Sequence, residues 1–259
     1  MIEKKETILE VLNIYKEYKE KGFFKKSKKR VLTDVSFSLK KGECLGIIGE
    51  SGSGKSTLGR IITGIEKPNS GIIKFNGKDL SLKENKNLFK DMSIVFQDYT
   101  SSVNPQFNIA EIISEPLTLE KKLSEKEIKK ELETLVTNVG LPLEILNRYP
   151  NELSGGQLQR VCIARAISTK PKFLMLDEAV SSLDISTQVE VLDLLEELKQ
   201  KYELSYIFVT HDLLTITYIC DSVIFFKDGQ INEKIDNISE LSKIKSDYSK
   251  SLLNAVIEF

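Results

Sequence analysis

Apolar and polar positions change period several times along this chain, and each change predicts an element. Residues 8–14 read as a first strand, and residues 31–39 alternate as a half-buried strand does. Between them, residues 15–30 are crowded with lysine, broken by Glu17 and Glu20, and carry the aromatic pair Phe23 and Phe24. That composition predicts a solvated loop rather than a nucleic-acid patch. The turn Lys40-Lys41-Gly42-Glu43 then leads into a short apolar strand, residues 44–48, which runs straight into a glycine-rich loop. Leu58, Ile61, Ile62 and Ile65 follow at helical spacing, and Pro68 stops the helix. Residues 70–76 form another strand, closed by the hairpin-type turn Asn76-Gly77. Residues 93–96 are expected to be a buried strand ending at Gln97.

From residue 109 to about 146 the period turns helical, and Leu132, Leu135, Val136 and Val139 are assigned to the core of a helical lobe. A further helix is expected behind Leu153-Ser154-Gly155-Gly156-Gln157. Buried strands are expected at 173–176 and 206–210, and the helix between them carries Val189, Leu192 and Leu195. Residues 222–226 and 230–233, joined by Asp228-Gly229, read as a closing hairpin. The expected layout is an α/β core over about 1–98 and 165–235, an all-helical insertion over about 99–164, and a short C-terminal segment, 236–259.

A length of 259 residues with 41% hydrophobic content suits one large domain. The net charge of −1 offers no footprint for a phosphate backbone, so no nucleic-acid partner is expected. Cys44, Cys162 and Cys220 are far apart in sequence, form no C-x-x-C pair and suggest a reducing compartment. The opening M-I-E-K-K-E-T has no signal-peptide core, and no apolar run approaches the roughly 20 residues of a spanning helix. A membrane role is therefore expected to run through a partner.

The chemistry concentrates in five short motifs. Gly49-Glu50-Ser51-Gly52-Ser53-Gly54-Lys55-Ser56, followed by Thr57, is a complete phosphate cradle between strand and helix. Its backbone N–H groups form an anion nest, Lys55 reaches the β- and γ-phosphates, and the Ser56 hydroxyl ligates Mg²⁺. A glycine-rich turn without a ligand is the alternative, but the flanking elements are those the cradle requires. Asp177 and Glu178 end an apolar strand expected beside the cradle strand. Asp177 is assigned to magnesium, and Glu178 to orienting and deprotonating the attacking water. His211, the chain's one histidine, follows another core strand and is expected at the γ-phosphate; Gln97 is expected to sense magnesium or the lytic water. Ser154, Gly155, Gly156 and Gln157 open a helix, either as an ordinary serine cap or as a second anion clasp. Because the cradle already holds the phosphates, a second clasp suggests two chains, head to tail, each lending it to the other's nucleotide.

With L-S-G-G-Q-L-Q-R at 153–160, these motifs resemble the ATP-binding-cassette (ABC) family over essentially the whole chain. The resemblance implies a P-loop NTPase with a RecA-like α/β core, an antiparallel β lobe and an inserted all-helical lobe. It also implies hydrolysis of ATP with Mg²⁺ at two composite sites. By motif, Tyr18 resembles the aromatic residue that stacks on adenine, with Tyr15, Phe23 and Phe24 as competitors. Ser181-Ser182-Leu183-Asp184 resembles the loop that crosses the dimer, which makes Asp184 a nucleotide-site residue. Residues 45–60, 96–105 and 247–253 are similar to the ATPase subunits of peptide and nickel importers, and S-T-L-G-R at 56–60 resembles the second of their two ATPases. Ala179, where peptide importers usually have proline, leans towards nickel or a metal chelate. The implied partners are a different sister cassette, two membrane permeases and, indirectly, an external substrate-binding protein, at the cytoplasmic face of the membrane. The alternative is a soluble cassette ATPase acting on nucleic acid or an assembly complex. That class usually brings two cassettes or a long coiled-coil insertion, and neither is present.

Overall fold

The computed structural model describes residues 6–21, 26–120 and 123–257. Ten strands run in chain order as β1 (Thr7–Lys21), β2 (Lys26–Lys40), β3 (Cys44–Ile48), β4 (Ser70–Phe75), β5 (Lys78–Asp79), β6 (Met92–Val95), β7 (Phe173–Asp177), β8 (Ser205–Thr210), β9 (Ser222–Lys227) and β10 (Gln230–Ile235). Seven α-helices are α1 (Lys55–Ile62), α2 (Ile109–Glu120), α3 (Glu125–Asn138), α4 (Gly155–Ile167), α5 (Ile185–Tyr202), α6 (Leu213–Ile219) and α7 (Asp247–Ile257). The chain divides into two units, Met1–Phe89 with Ser205–Phe259, and Lys90–Leu204.

The first unit holds two sheets. One is antiparallel, in the order β2-β1-β4-β5, and buries Leu9, Val11, Ile14, Val35, Phe37, Leu39 and Phe75. In the other, β3 lies between β8 and β9, parallel to both, and β10 pairs antiparallel with β9. Every residue of β3 and β8 is buried, as expected for parallel strands covered on both faces. The turns Asn76-Gly77 and Asp228-Gly229 place both residues at positive φ, the conformation of a two-residue hairpin that follows strand twist.

The stretch expected as a solvated loop, 15–30, is instead a two-stranded ribbon among its described residues. Glu17 lies opposite Arg30, Tyr18 opposite Lys29 and Lys19 opposite Lys28. Glu17 meets Lys28 and Arg30, each at 3.3 Å. Cross-strand ion pairing carries the β1–β2 ladder beyond the sheet, where both faces meet water and no apolar alternation reports it. Phe23 and Phe24 lie outside the described residues.

In the second unit β6 and β7 pair in parallel, from Met92 opposite Phe173 to Val95 opposite Leu176. β7 is wholly buried, whereas the strand expected as buried up to Gln97 is β6, of which only Met92 and Val95 are covered. Leu132, Leu135, Val136 and Val139 are buried as expected. Leu192 and Leu195 are buried on α5, but Val189 faces out. The N-terminus of α3 is closed by a reciprocal Ser124–Glu127 capping box. Among the described residues no helix is long and apolar enough to cross a membrane.

Candidate functional site

In the first unit, β3 delivers the glycine-rich loop directly to α1. Gly52 and Gly54 have φ of 80° and 106°, a region that L side chains rarely adopt. At Gly54 a Cβ would also stand 2.8 Å from the Val31 carbonyl oxygen. Gly54 is the N-cap of α1 with no side-chain cap, and the first turn contains no acid. Backbone N–H groups and the positive end of the helix dipole are thus presented to an anion. The Lys55 ammonium is buried against the loop, donating to the carbonyls of Gly49 at 2.7 Å and Glu50 at 2.9 Å. Thr57 is buried in the first turn of α1, its hydroxyl accepting from Arg60 at 3.1 Å.

Both strands hydrogen-bonded to β3 belong to its own unit, so the expected direct neighbour, 173–176, is not beside it. The neighbour that matters is β8. Ile48 pairs with Thr210, so the cradle begins and His211 follows at matching heights on adjacent parallel strands. Asp212 next to it is structural: it caps α6 by accepting from Leu214 N at 3.0 Å and Thr215 N at 3.1 Å. His211 is thereby left exposed between a fixed strand end and a capped helix.

Tyr18 stands on β1, partly exposed, with its hydroxyl donating to Glu66 at 2.7 Å and the Lys16 ammonium 5.2 Å from its ring centre. Burial works to raise the Glu66 carboxyl, but hydrogen bonds from Lys16 and Tyr18 outweigh it and hold the group below its ordinary range.

In the second unit, Asp177 is buried at the end of β7 and Gln97 is exposed just past β6. Gln97 donates through Nε2 to Glu178 Oε2 at 2.7 Å. Glu178 takes φ of 49°, a left-handed backbone that costs a non-glycine residue on the order of 1 kcal/mol and recurs at functional sites. Ser181 Oγ donates to the Glu178 carbonyl at 3.0 Å and helps hold that turn. No sequence pattern announced this strain or the Gln97–Glu178 bond.

Ser154 is the N-cap of α4, in a capping box with Gln157. The ordinary cap is thus present, and it leaves Ser154 and Gly155 exposed while the helix start is fixed. A Cβ on Gly155 would come within 2.7 Å of the Tyr99 hydroxyl, and one on Gly156 within 2.5 Å of Thr187 Cγ2. Asp184 caps α5, accepting from Thr187 N at 3.1 Å, Ser186 Oγ at 2.6 Å and Thr187 Oγ1 at 2.7 Å. The two hydroxyls hold its carboxyl far below the ordinary range. Asp98, beside Gln97, is lowered to about 2 by Thr100 and Ser101.

The donors assigned to the metal, the Ser56 hydroxyl, the Gln97 amide and the Asp177 carboxylate, are all hard oxygens, which suits Mg²⁺ and not a soft ion. A cap-free, acid-free helix start likewise suits a polyphosphate.

The family model described as "ABC transporter" matches residues 32–181. The chain is 42% identical to the metal-staphylopine import system ATP-binding protein CntF of Staphylococcus aureus, over 97% of this chain and 100% of that protein. It is 41% identical to the oligopeptide transport ATP-binding protein OppF of Haemophilus influenzae, over 97% of this chain and 79% of that one. Among solved structures, the dimeric bacterial ABC transporter cassette MJ0796 matches with a TM-score of 0.79 and 29% identity, over 88% of this chain and 97% of that one.

Proposed function

We propose that this chain, which belongs to the ABC transporter family, is the ATP-hydrolysing subunit of an importer whose cargo is a chelated metal ion such as nickel. It is an ATPase that uses ATP and Mg²⁺. The observation that carries the assignment of roles is the 2.7 Å hydrogen bond between Gln97 and Glu178. It steadies, at the mouth of two core strands, a carboxylate that can orient water and take its proton. Lys55 exchanges the Gly49 and Glu50 carbonyls for the β- and γ-phosphates, and His211 contacts the γ-phosphate. Ser56, Asp177 and Gln97 would hold Mg²⁺, which when bound would neutralise charge developing on the phosphoryl oxygens. Gly49, Glu50, Ser51, Gly52, Ser53, Gly54 and Thr57 complete the cradle, and Tyr18 stacks on adenine.

Ser154, Gly155, Gly156 and Gln157 serve the nucleotide of a second cassette, and Asp184 lies in the loop that links the two sites. The exposure of Ser154, Gly155 and Asp184 supports this, as does Ile185, an apolar residue left 81% exposed next to Asp184. The partner cassette is a different sister chain, and the pair docks on two permeases at the cytoplasmic membrane face. An external binding protein supplies cargo. The exposed Asn104 and Phe107 leave the segment after Gln97 open to a permease loop.

The metal-chelate reading is supported by Ala179 and by the similarity to the metal-staphylopine import ATP-binding protein of Staphylococcus aureus. Uptake in cells deleted for this chain tests it, with nickel and cobalt, free and chelated, beside labelled short peptides. Loss of chelated-metal uptake with peptide uptake unchanged is expected. Loss of peptide uptake alone would reassign the cargo.

A further inference from the structure

Tyr248, in the first turn of α7, lies against the outside of the glycine-rich loop. Its hydroxyl accepts the Glu50 N–H at 3.2 Å and donates to the Phe226 carbonyl at 3.3 Å. The Lys227 ammonium sits 4.8 Å from the centre of its ring. The loop is backed closely at the same point. A Cβ on Gly49 would stand 2.0 Å from that Phe226 oxygen, and Gly229 N donates to the Ser53 carbonyl at 2.9 Å. Glu50, Ser53, Lys227 and Tyr248 line a small cavity here, beside the buried Ser53 hydroxyl, which has no hydrogen-bond partner.

The Gly49–Glu50 peptide is thus gripped from two sides. It is trans, so its carbonyl and its N–H point in opposite directions. Lys55 holds the carbonyl at 2.7 Å, and Tyr248 holds the N–H. Without the hydroxyl, this plane would be free to rotate about the bonds of Gly49, the most permissive residue available. Rotation would redirect the carbonyl that Lys55 must release on meeting a phosphate.

We propose that Tyr248 is a positioning residue for nucleotide binding: its hydroxyl fixes the Gly49–Glu50 peptide and, through it, the resting place of Lys55. The C-terminal helix is on this account a brace of the phosphate loop. The inference rests on the reading of residues 49–56 as the phosphate cradle.

The test compares wild type, Tyr248→Phe, Tyr248→Ala and Lys55→Ala as full chains. The readouts are the Kd for Mg-ATP by calorimetry, KM and kcat for hydrolysis, and hydrogen exchange at the Glu50 amide without nucleotide. Tyr248→Phe keeps the ring, its packing and its cation contact, and removes only the hydroxyl. The expected result is a two- to tenfold weaker Kd and higher KM, about the range of one neutral hydrogen bond. We expect kcat to stay within about twofold, as for a loss of binding common to ground and transition states. Glu50 amide exchange should be faster. A role in ring packing alone would be restored by phenylalanine and lost only in Tyr248→Ala. Wild-type Kd in Tyr248→Phe overturns the inference and leaves the cradle untouched. Equal ATP binding by wild type and Lys55→Ala overturns the cradle reading, and this inference with it.

Discussion

Two carboxylates close together in sequence are handled differently by the fold. Glu178 is aimed by a strained backbone and by the Gln97 amide that donates to it. Asp184 is spent on three hydrogen bonds that start α5. Asp98 resembles Asp184: Thr100 and Ser101 hold its carboxyl at about 2, below the ordinary 3.8. A lowered folded pKa contributes stability that is complete above the unfolded value and is lost as pH falls towards the folded one. The turn after Gln97 should therefore loosen between about pH 4 and pH 2. Asp98→Asn should abolish that step while leaving the neutral-pH fold in place. Proton exchange of the Ser101 amide across this range checks it; an identical acid response in the variant would contradict the assignment.

At the scale of elements, the strands and helices around the motifs were legible because burial enforces their periods. β3, β7 and β8 read as apolar runs, and α1 as an apolar stripe, although Ile65 lies past the end of α1 and is exposed. The β1–β2 ribbon was not legible. Charge pairing across solvated strands has no hydrophobic period, and a lysine-rich stretch looks the same in a loop. The serine cap of α4 was legible as one of two readings of Ser154-Gly155-Gly156-Gln157, but the exposure of Ser154 was not. Ser154→Ala should cost about 1 kcal/mol of helix capping. Gly156→Ala should press on Thr187, 2.5 Å from the added carbon, and displace the start of α5. Both variants are expected to bind ATP normally as single chains and to lose most hydrolysis once paired with the sister cassette. Calorimetry on the single chain beside turnover of the assembled pair measures this. An equal loss of ATP binding in the single chain would contradict a clasp that serves the partner.

For the whole molecule, the five motifs identified the reaction before any geometry was known. They could do so because each chemical task requires particular side chains at fixed offsets from a strand end. The sequence did not report what holds those groups in place. The register of Ile48 with Thr210, the Gln97–Glu178 bond and the placing of Tyr248 on the loop all depend on contacts between distant segments. The central claim is that the cradle binds ATP while Glu178 activates the water that cleaves it. Single-turnover cleavage of bound ATP by Glu178→Gln, beside its Mg-ATP affinity, tests that most directly. The account predicts an affinity within about twofold of wild type and cleavage slowed by about a hundredfold or more, the range ascribed to a general base. Cleavage at the wild-type rate would show that another group activates the water.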